Sequence, residues 1–192
     1  MNIINEAAMA IMISLAAEYS TDNKVSINQD ELWCLANNIY FEARAESYAG
    51  KQAVANVTQN RLESKDHPDS YCGVVKEGPH RESWKTAKDK TLDKSERIYY
   101  PRKHRCQFSW YCDGQKDVIW ANYEKTGQTI KGNARAWKES VELAIMIAGN
   151  TKLTVSDNTD GAVYYYAHNL VYPSWAKTKS YIGVLGNHTF MK

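Results

Sequence analysis

Glu31-Leu-Trp-Cys-Leu-Ala-Asn-Asn-Ile-Tyr-Phe-Glu-Ala-Arg-Ala-Glu46 decides how the chain folds. Its apolar residues fall at Leu32, Leu35, Ala36, Ile39, Tyr40 and Ala43, the spacing of one helix face. Asn28 or Asp30 stands ready to cap its start. Continued as a helix to Glu46, the segment turns Glu42 and Glu46 the same way, one turn apart, at the border of the apolar stripe, while Arg44 points away. A carboxyl at such a border is partly desolvated, which raises its pKa and keeps it protonated near neutrality. A general acid for glycosidic cleavage needs that property. On spacing alone, a surface glutamate pair bordering a core helix is the commoner arrangement.

The surroundings extend the helical pattern. An apolar run from Ala7 to Ala17 predicts an amphipathic first helix, and the polar, turn-rich residues 20–28 link it to the body. No Lys or Arg precedes that run, the first basic residue being Lys24, so it does not read as a conventional signal peptide. Ala49-Gly50 is expected to break or bend the chain before a second helix from Lys51 to Leu62. The aperiodic, lysine-rich region 76–104 reads as helix and loop. Cys106-Gln-Phe-Ser-Trp-Tyr-Cys112 alternates like a strand, with Gln107, Ser109 and Tyr111 on one side, and Asp113-Gly114 supplies a turn. A helix over Ala134–Ala148 is expected to end at Gly149-Asn150, Gly161–His168 reads as a strand, and an irregular aromatic tail runs through Pro173, Trp175 and His188. This order predicts an α+β domain, mostly helical, with a small β-sheet. Residues 1–28 form its N-terminal helix and linker, and 29–192 a single domain.

Length and composition narrow the function classes. At 192 residues, with 43% hydrophobic and 24% charged side chains, the chain suits one soluble globular unit rather than a disordered one. No run of about 20 apolar residues is available to span a membrane. Net charge is +2, but residues 1–50 carry seven acidic and two basic side chains, while 76–105 carries ten basic and five acidic ones. That stretch suits a solvated face or a polyanion; without a base-reading motif no nucleic-acid partner is expected. Thirteen Tyr and six Trp against three Phe suit either a wet core or a surface that grips sugar rings.

Several chemistries compete for the site. Two carboxylates of a glycosidase flank the scissile bond, and two glutamates on one helix face do not. Either a distant acid (Asp113, Asp157 or Asp160) completes the pair, or the substrate supplies its own nucleophile, such as the 6-hydroxyl of a muramyl sugar. Glu46 would then orient substrate or brace the site. His168 and His188 are twenty residues apart with no H-E-x-x-H, so no metal site is expected. Cys34, Cys72, Cys106 and Cys112 form no C-x-x-C pair and show no nucleophile motif. They permit two disulfides in an oxidising compartment or four thiols in a reducing one.

The segment Glu42-Ala-Arg-Ala-Glu46, followed by Gly50-Lys-Gln-Ala-Val-Ala-Asn-Val and Asn60-Arg61, resembles the core motif of the SleB-like cell-wall hydrolases, bacterial or phage-encoded. Later blocks agree in order: Cys72-Gly-Val-Val75, Cys106-Gln-Phe-Ser-Trp110 with Cys112-Asp-Gly114, Ala162 to Tyr166, then His168, Pro173, Trp175-Ala176 and Gly186-Asn-His-Thr-Phe190. Ala45 departs from the glycine often found there, and the charged stretch 81–105 resembles an insertion. The resemblance implies a lysozyme-like compact fold. It also implies cleavage of peptidoglycan between N-acetylmuramic acid and N-acetylglucosamine as a lytic transglycosylase, with Glu42 as catalytic acid and base and Glu46 in support. No metal or organic cofactor is implied.

With that substrate, Gln107, Ser109, Tyr111, Tyr164, Tyr166, His168 and Trp175 become candidates for a glycan groove, while Phe108 and Trp110 suit the core. Cys72, Cys106 and Cys112 lie in family-like blocks, so a disulfide among them is the preferred role. Cys106 and Cys112 would be ~20 Å apart in a straight strand, so joining them requires a bend. The expected partner is peptidoglycan glycan strands, met as a monomer in the cell envelope without stable membrane insertion. A phage-encoded version would wait in the host cytoplasm until released to the wall. An N-acetylmuramoyl-L-alanine amidase and a non-catalytic wall-binding module are the alternatives.

Overall fold

The computed structural model describes residues 3–23, 26–119, 131–149 and 155–192. Four long helices make the body: α1 (Ile3–Asn23), α2 (Gln29–Ala43), α3 (Tyr48–Glu63) and, late in the chain, α6 (Lys131–Ala148). Between α3 and α6 come the short α4 (Tyr71–Val75), the two-stranded antiparallel sheet of β1 (His80–Glu82) and β2 (Tyr99–Pro101), and α5 (Trp84–Lys88) between those strands. After α6 come β3 (Tyr164–Ala167), β4 (Tyr181–Leu185) and β5 (His188–Met191), an antiparallel sheet of order β3-β5-β4. The architecture is α+β and mostly helical, as the element order predicts.

α2 is the central helix. Asn28 starts it, its side-chain oxygen accepting from the backbone N–H groups of Asp30 and Glu31. Leu32, Leu35, Ala36, Ile39 and Tyr40 are fully buried in the main core with Trp137, Val141 and Ala144 of α6 and Ala8 and Met12 of α1. Trp137 Nε1 donates to Ala8 O at 3.0 Å, so the indole satisfies its polar atom inside the core. Only Ala8, Met12 and Ala16 of the N-terminal apolar run are buried, one stripe at four-residue spacing.

The boundary after α2 differs from the sequence expectation. The helix ends at Ala43, and Ser47 caps a new one, accepting from Gly50 N–H at 3.3 Å. Glu46 therefore lies on the connection between helices, not on the helix face of Glu42. Gly50 does not break a helix; it sits in the first turn of α3, where an added Cβ would come 2.8 Å from Glu46 Cβ. Buried Lys51 ties the connection down, Nζ donating to Glu46 O at 2.8 Å and pairing with Glu139 at 3.0 Å. The helix expected over 134–148 begins at Lys131 and turns at Gly149; Asn150 lies outside the described residues.

Three further expectations are corrected, for residues 106–112, for region 76–104 and for the tail. Residues 106–112 are not a strand: the chain bends, Ser109–Cys112 forms a 3-10 turn, and the Cα atoms of the disulfide-bonded Cys106 and Cys112 are 6.1 Å apart. The second disulfide joins Cys72 to Cys34, bringing in a cysteine from α2 that family-like blocks did not single out. Region 76–104 includes a β-hairpin besides helix and loop, and the tail is ordered as the hairpin β4–β5, turned at Gly186-Asn187.

Candidate active site

Glu42 lies in the last turn of α2, half-buried, at the side of the helix that meets β3. Tyr165, the middle of three consecutive tyrosines on β3, donates its hydroxyl proton to Glu42 Oε2 at 3.0 Å. Removal from water pushes the Glu42 carboxyl above its usual range, against smaller opposing effects from the Tyr165 hydrogen bond and the Arg61 charge. The border of the apolar stripe thus has the predicted electrostatic consequence.

Arg61 is the neighbour that sequence reading left without a role. It stands on the buried side of α3, in register with Val54, Val57 and Thr58, and is only 4% exposed. An arginine at that position of an apolar stripe is the signal that marks it. Its Nε donates to Val163 O at 2.7 Å, and the guanidinium lies 4.9 Å from the centre of the Phe108 ring. Burial lowers its pKa, while nearby Tyr165, Glu77 and Glu42 work the other way.

Tyr165 and Arg61 form part of the wall of a cavity of about 790 Å³, also lined by Glu77, Arg105, Gln107, Tyr164, Trp175 and Lys179. Glu42 stands one hydrogen bond behind this wall. Of the predicted groove residues, Gln107, Tyr164 and Trp175 come together here. Tyr164 and Trp175 have ring centres 5.6 Å apart, and Tyr166 extends the cluster, edge-on to Trp175 at 5.8 Å and to Tyr172 at 5.8 Å.

The others are dispersed. Ser109 is exposed at the start of the 3-10 turn, and Tyr111 borders a different hollow with Trp33, Asn37 and Asp117. The face expected to carry Gln107, Ser109 and Tyr111 together does not exist once the chain bends to join Cys106 and Cys112. Trp110 turns inward: its Nε1 donates to Asn38 Oδ1 at 2.9 Å and its ring stacks on Phe41 at 4.7 Å. Asn38 in turn donates to Thr58 Oγ1 at 3.0 Å, a satisfied polar link beneath the site. Exposed His168 has its Nδ1 3.4 Å from Thr189 Oγ1.

Glu46 reaches across the sequence to the β4–β5 turn. Asn187 donates to it twice, Nδ2 to Oε1 at 2.7 Å and backbone N–H to Oε2 at 3.3 Å. Buried His188 packs edge-on against Tyr165 at 5.1 Å and keeps its Nδ1 3.9 Å from Glu46 Oε1, too long for a hydrogen bond. Burial lowers the His188 pKa, the Glu46 charge opposes that shift, and His168 adds to it.

Of the more distant acids, Asp157 spends its oxygens on its own turn and on Asn60, accepting from Thr159 and Gly161 N–H at 2.8 and 2.6 Å. Neither it nor Asp113 nor Asp160 lines the cavity; Glu77 does, with Oε2 2.8 Å from His67 Nδ1. Among the described residues no three His, Cys, Asp or Glu side chains are gathered as metal ligands.

Comparison with known proteins places the chain among cell-wall enzymes by sequence and fold. The spore cortex-lytic enzyme of Oceanobacillus iheyensis is 26% identical over 166 residues, 86% of this chain and 42% of that protein. The Bacillus cereus spore cortex-lytic enzyme is 24% identical over 165 residues, 86% of this chain and 45% of that protein. The chain therefore spans less than half the length of these relatives. The catalytic domain of the germination-specific lytic transglycosylase SleB from Bacillus anthracis shares the fold, with a TM-score of 0.51 at 23% identity over 86% of this chain and 96% of that one. The sequence profile of the Cell Wall Hydrolase family matches residues 45–191, and the chain belongs to that family.

Proposed function

We propose that this chain cleaves the glycan backbone of peptidoglycan between N-acetylmuramic acid and N-acetylglucosamine, as a lytic transglycosylase. The observation that carries the reading is Glu42: a carboxyl held toward its protonated form by burial, hydrogen-bonded to Tyr165 and next to a cavity lined by Tyr164, Trp175 and Gln107. The names of its relatives, spore cortex-lytic enzymes and a lytic transglycosylase, support the same chemistry.

In this reading protonated Glu42 gives its proton to the glycosidic oxygen as the bond to C1 of the muramyl sugar breaks. The resulting carboxylate is stabilised by the Tyr165 hydroxyl and the Arg61 charge, which oppose the effect of burial. It then takes the proton from the muramyl 6-hydroxyl as that oxygen bonds to C1, closing a 1,6-anhydro ring and restoring the acid. One carboxyl suffices because the substrate supplies the nucleophile. Tyr164 and Trp175 offer ring faces to the sugars, and Gln107 offers an amide. Residues 29–192 form the catalytic unit, acting on the wall as a monomer in the cell envelope. Among the described residues no helix is long and apolar enough to cross a membrane.

A hydrolytic variant has one observation in its favour: Glu77 lines the same cavity as Tyr165 and is a candidate base for an attacking water. Mass spectrometry of soluble fragments released from purified peptidoglycan separates these readings. Fragments lighter by one water than hydrolysed ones are expected, and Glu42→Gln should release none while still sedimenting with sacculi. Reducing ends instead would make Glu77 the second carboxylate. Free stem peptides would make the enzyme an amidase, and sacculus binding without fragments from the unaltered chain would make it a binding module.

A further inference from the structure

The cavity beside Glu42 carries more positive charge than its own wall neutralises. Arg61, Arg105 and Lys179 line it against one carboxylate, Glu77, which is turned to His67. None of the three cations pairs with a carboxylate among the described residues. Arg61 is the most telling. It is 4% exposed, its Nε is spent on Val163 O, and its Nη1 is buried with no hydrogen-bond partner among the described residues. Arg61 is part of the cavity wall, and a guanidinium with one nitrogen spent and another unpaired retains donors for a planar anion. Lys179 lines the same cavity, its Nζ 3.9 Å from the centre of the Tyr164 ring, so the aromatic surface and the charge lie together.

We propose that Arg61, Arg105 and Lys179 form a subsite for a carboxylate carried by the muramyl unit of the glycan. The proposal rests on the glycosidase reading and deepens it by assigning the charged substituent a place. Two sources share this chemistry: the lactyl carboxylate on the sugar when no peptide is attached, and a free carboxylate of the peptide stem when one is. Recognition of that group sets which sugar of the alternating strand sits beside Glu42, because N-acetylglucosamine has no such acid. It also links binding to chemistry. The Arg61 charge opposes protonation of Glu42, and a carboxylate seated on Arg61 offsets that charge, leaving Glu42 a stronger holder of its proton until the glycosidic oxygen takes it.

The test separates this subsite from the reaction. Binding to the Glu42→Gln chain is measured by calorimetry for N-acetylmuramic acid and for an N-acetylmuramoyl dipeptide with a free carboxylate, each beside its neutral methylamide. At least one acid should bind about tenfold more tightly than its amide. That preference should shrink at least threefold in the Arg105→Gln, Lys179→Gln double variant, whose altered side chains are exposed at 105 and half-buried at 179, and return with Arg105→Lys, Lys179→Arg. Preference for the acid in the first pair assigns the lactyl group, and in the second the stem. Equal affinities within both pairs, or a preference untouched by the double variant, would overturn the subsite. Fragment release from peptidoglycan by the unaltered chain is scored separately, so loss of the glycosidase reading appears as no cleavage whatever the binding shows.

Discussion

Glu46 and Asn187 are joined by two hydrogen bonds across 141 residues, fastening the connection after α2 to the tip of the β4–β5 hairpin. The contact requires Gly186. Its φ is +57°, and a Cβ there would stand 2.1 Å from Glu46 Oε2. Gly186→Ala therefore incurs both left-handed backbone strain and overpacking, about 2–4 kcal/mol together. In a Glu46→Ala background the overpacking is relieved and only about 1–2 kcal/mol of backbone strain should remain. Urea midpoints of the two singles and the double measure this; equal costs in both backgrounds would remove Glu46 from the explanation.

The link beneath the site makes a separate prediction. Trp110→Phe keeps a ring to stack on Phe41 but leaves Asn38 Oδ1, on a fully buried residue, without its donor. An unpaired buried acceptor costs about 1–3 kcal/mol. Thermal unfolding should show a Tm lower by several degrees, and the same substitution in an Asn38→Leu background should cost less. An unchanged Tm would mean that water replaces the indole.

The two disulfides should differ in value. Cys34–Cys72 spans 38 residues and ties α2 to α4, whereas Cys106–Cys112 spans six. On chain entropy alone the longer loop is worth about 4 kcal/mol and the shorter about 2 kcal/mol. Paired Cys→Ala substitutions, compared by denaturant unfolding, should rank in that order. The reverse ranking would show that the short loop holds the bend at 106–112, and with it Gln107, more than it limits the unfolded chain.

The same particulars explain what could be read in advance. Glu42 was legible because its position relative to Leu35, Ile39 and Ala43 depends only on helical periodicity. Glu46 stands off the face of Glu42 because the helix stops three residues earlier, and Ser47, a good N-cap residue, is the sign of that stop in the sequence. Gly186-Asn187 stands between Tyr181–Leu185 and His188–Met191, a two-residue turn between strand-like runs, so the hairpin was legible. The Cys34–Cys72 bond and the meeting of Arg61 with Tyr165 were not. Both depend on how α2, α3, α4 and β3 pack, which no local pattern specifies.

Glu42 also makes a stability prediction whose sign follows from its pKa. Burial raises the folded-state value above that of the unfolded chain, about 4.3. The folded state therefore binds the proton more tightly, a stabilising contribution fully present below the unfolded value and lost as pH rises through the folded one. At neutral pH the wild type must either hold a desolvated carboxylate or take up a proton, whereas Glu42→Gln does neither and still offers an oxygen to the Tyr165 hydroxyl. The variant should have the higher Tm at pH 7, with the gap closing as pH falls toward 4. Scanning calorimetry of both proteins across that range reads it directly. A gap that widens in acid would mean that the carboxylate is the form the fold prefers, and that Tyr165 and Arg61 outweigh burial.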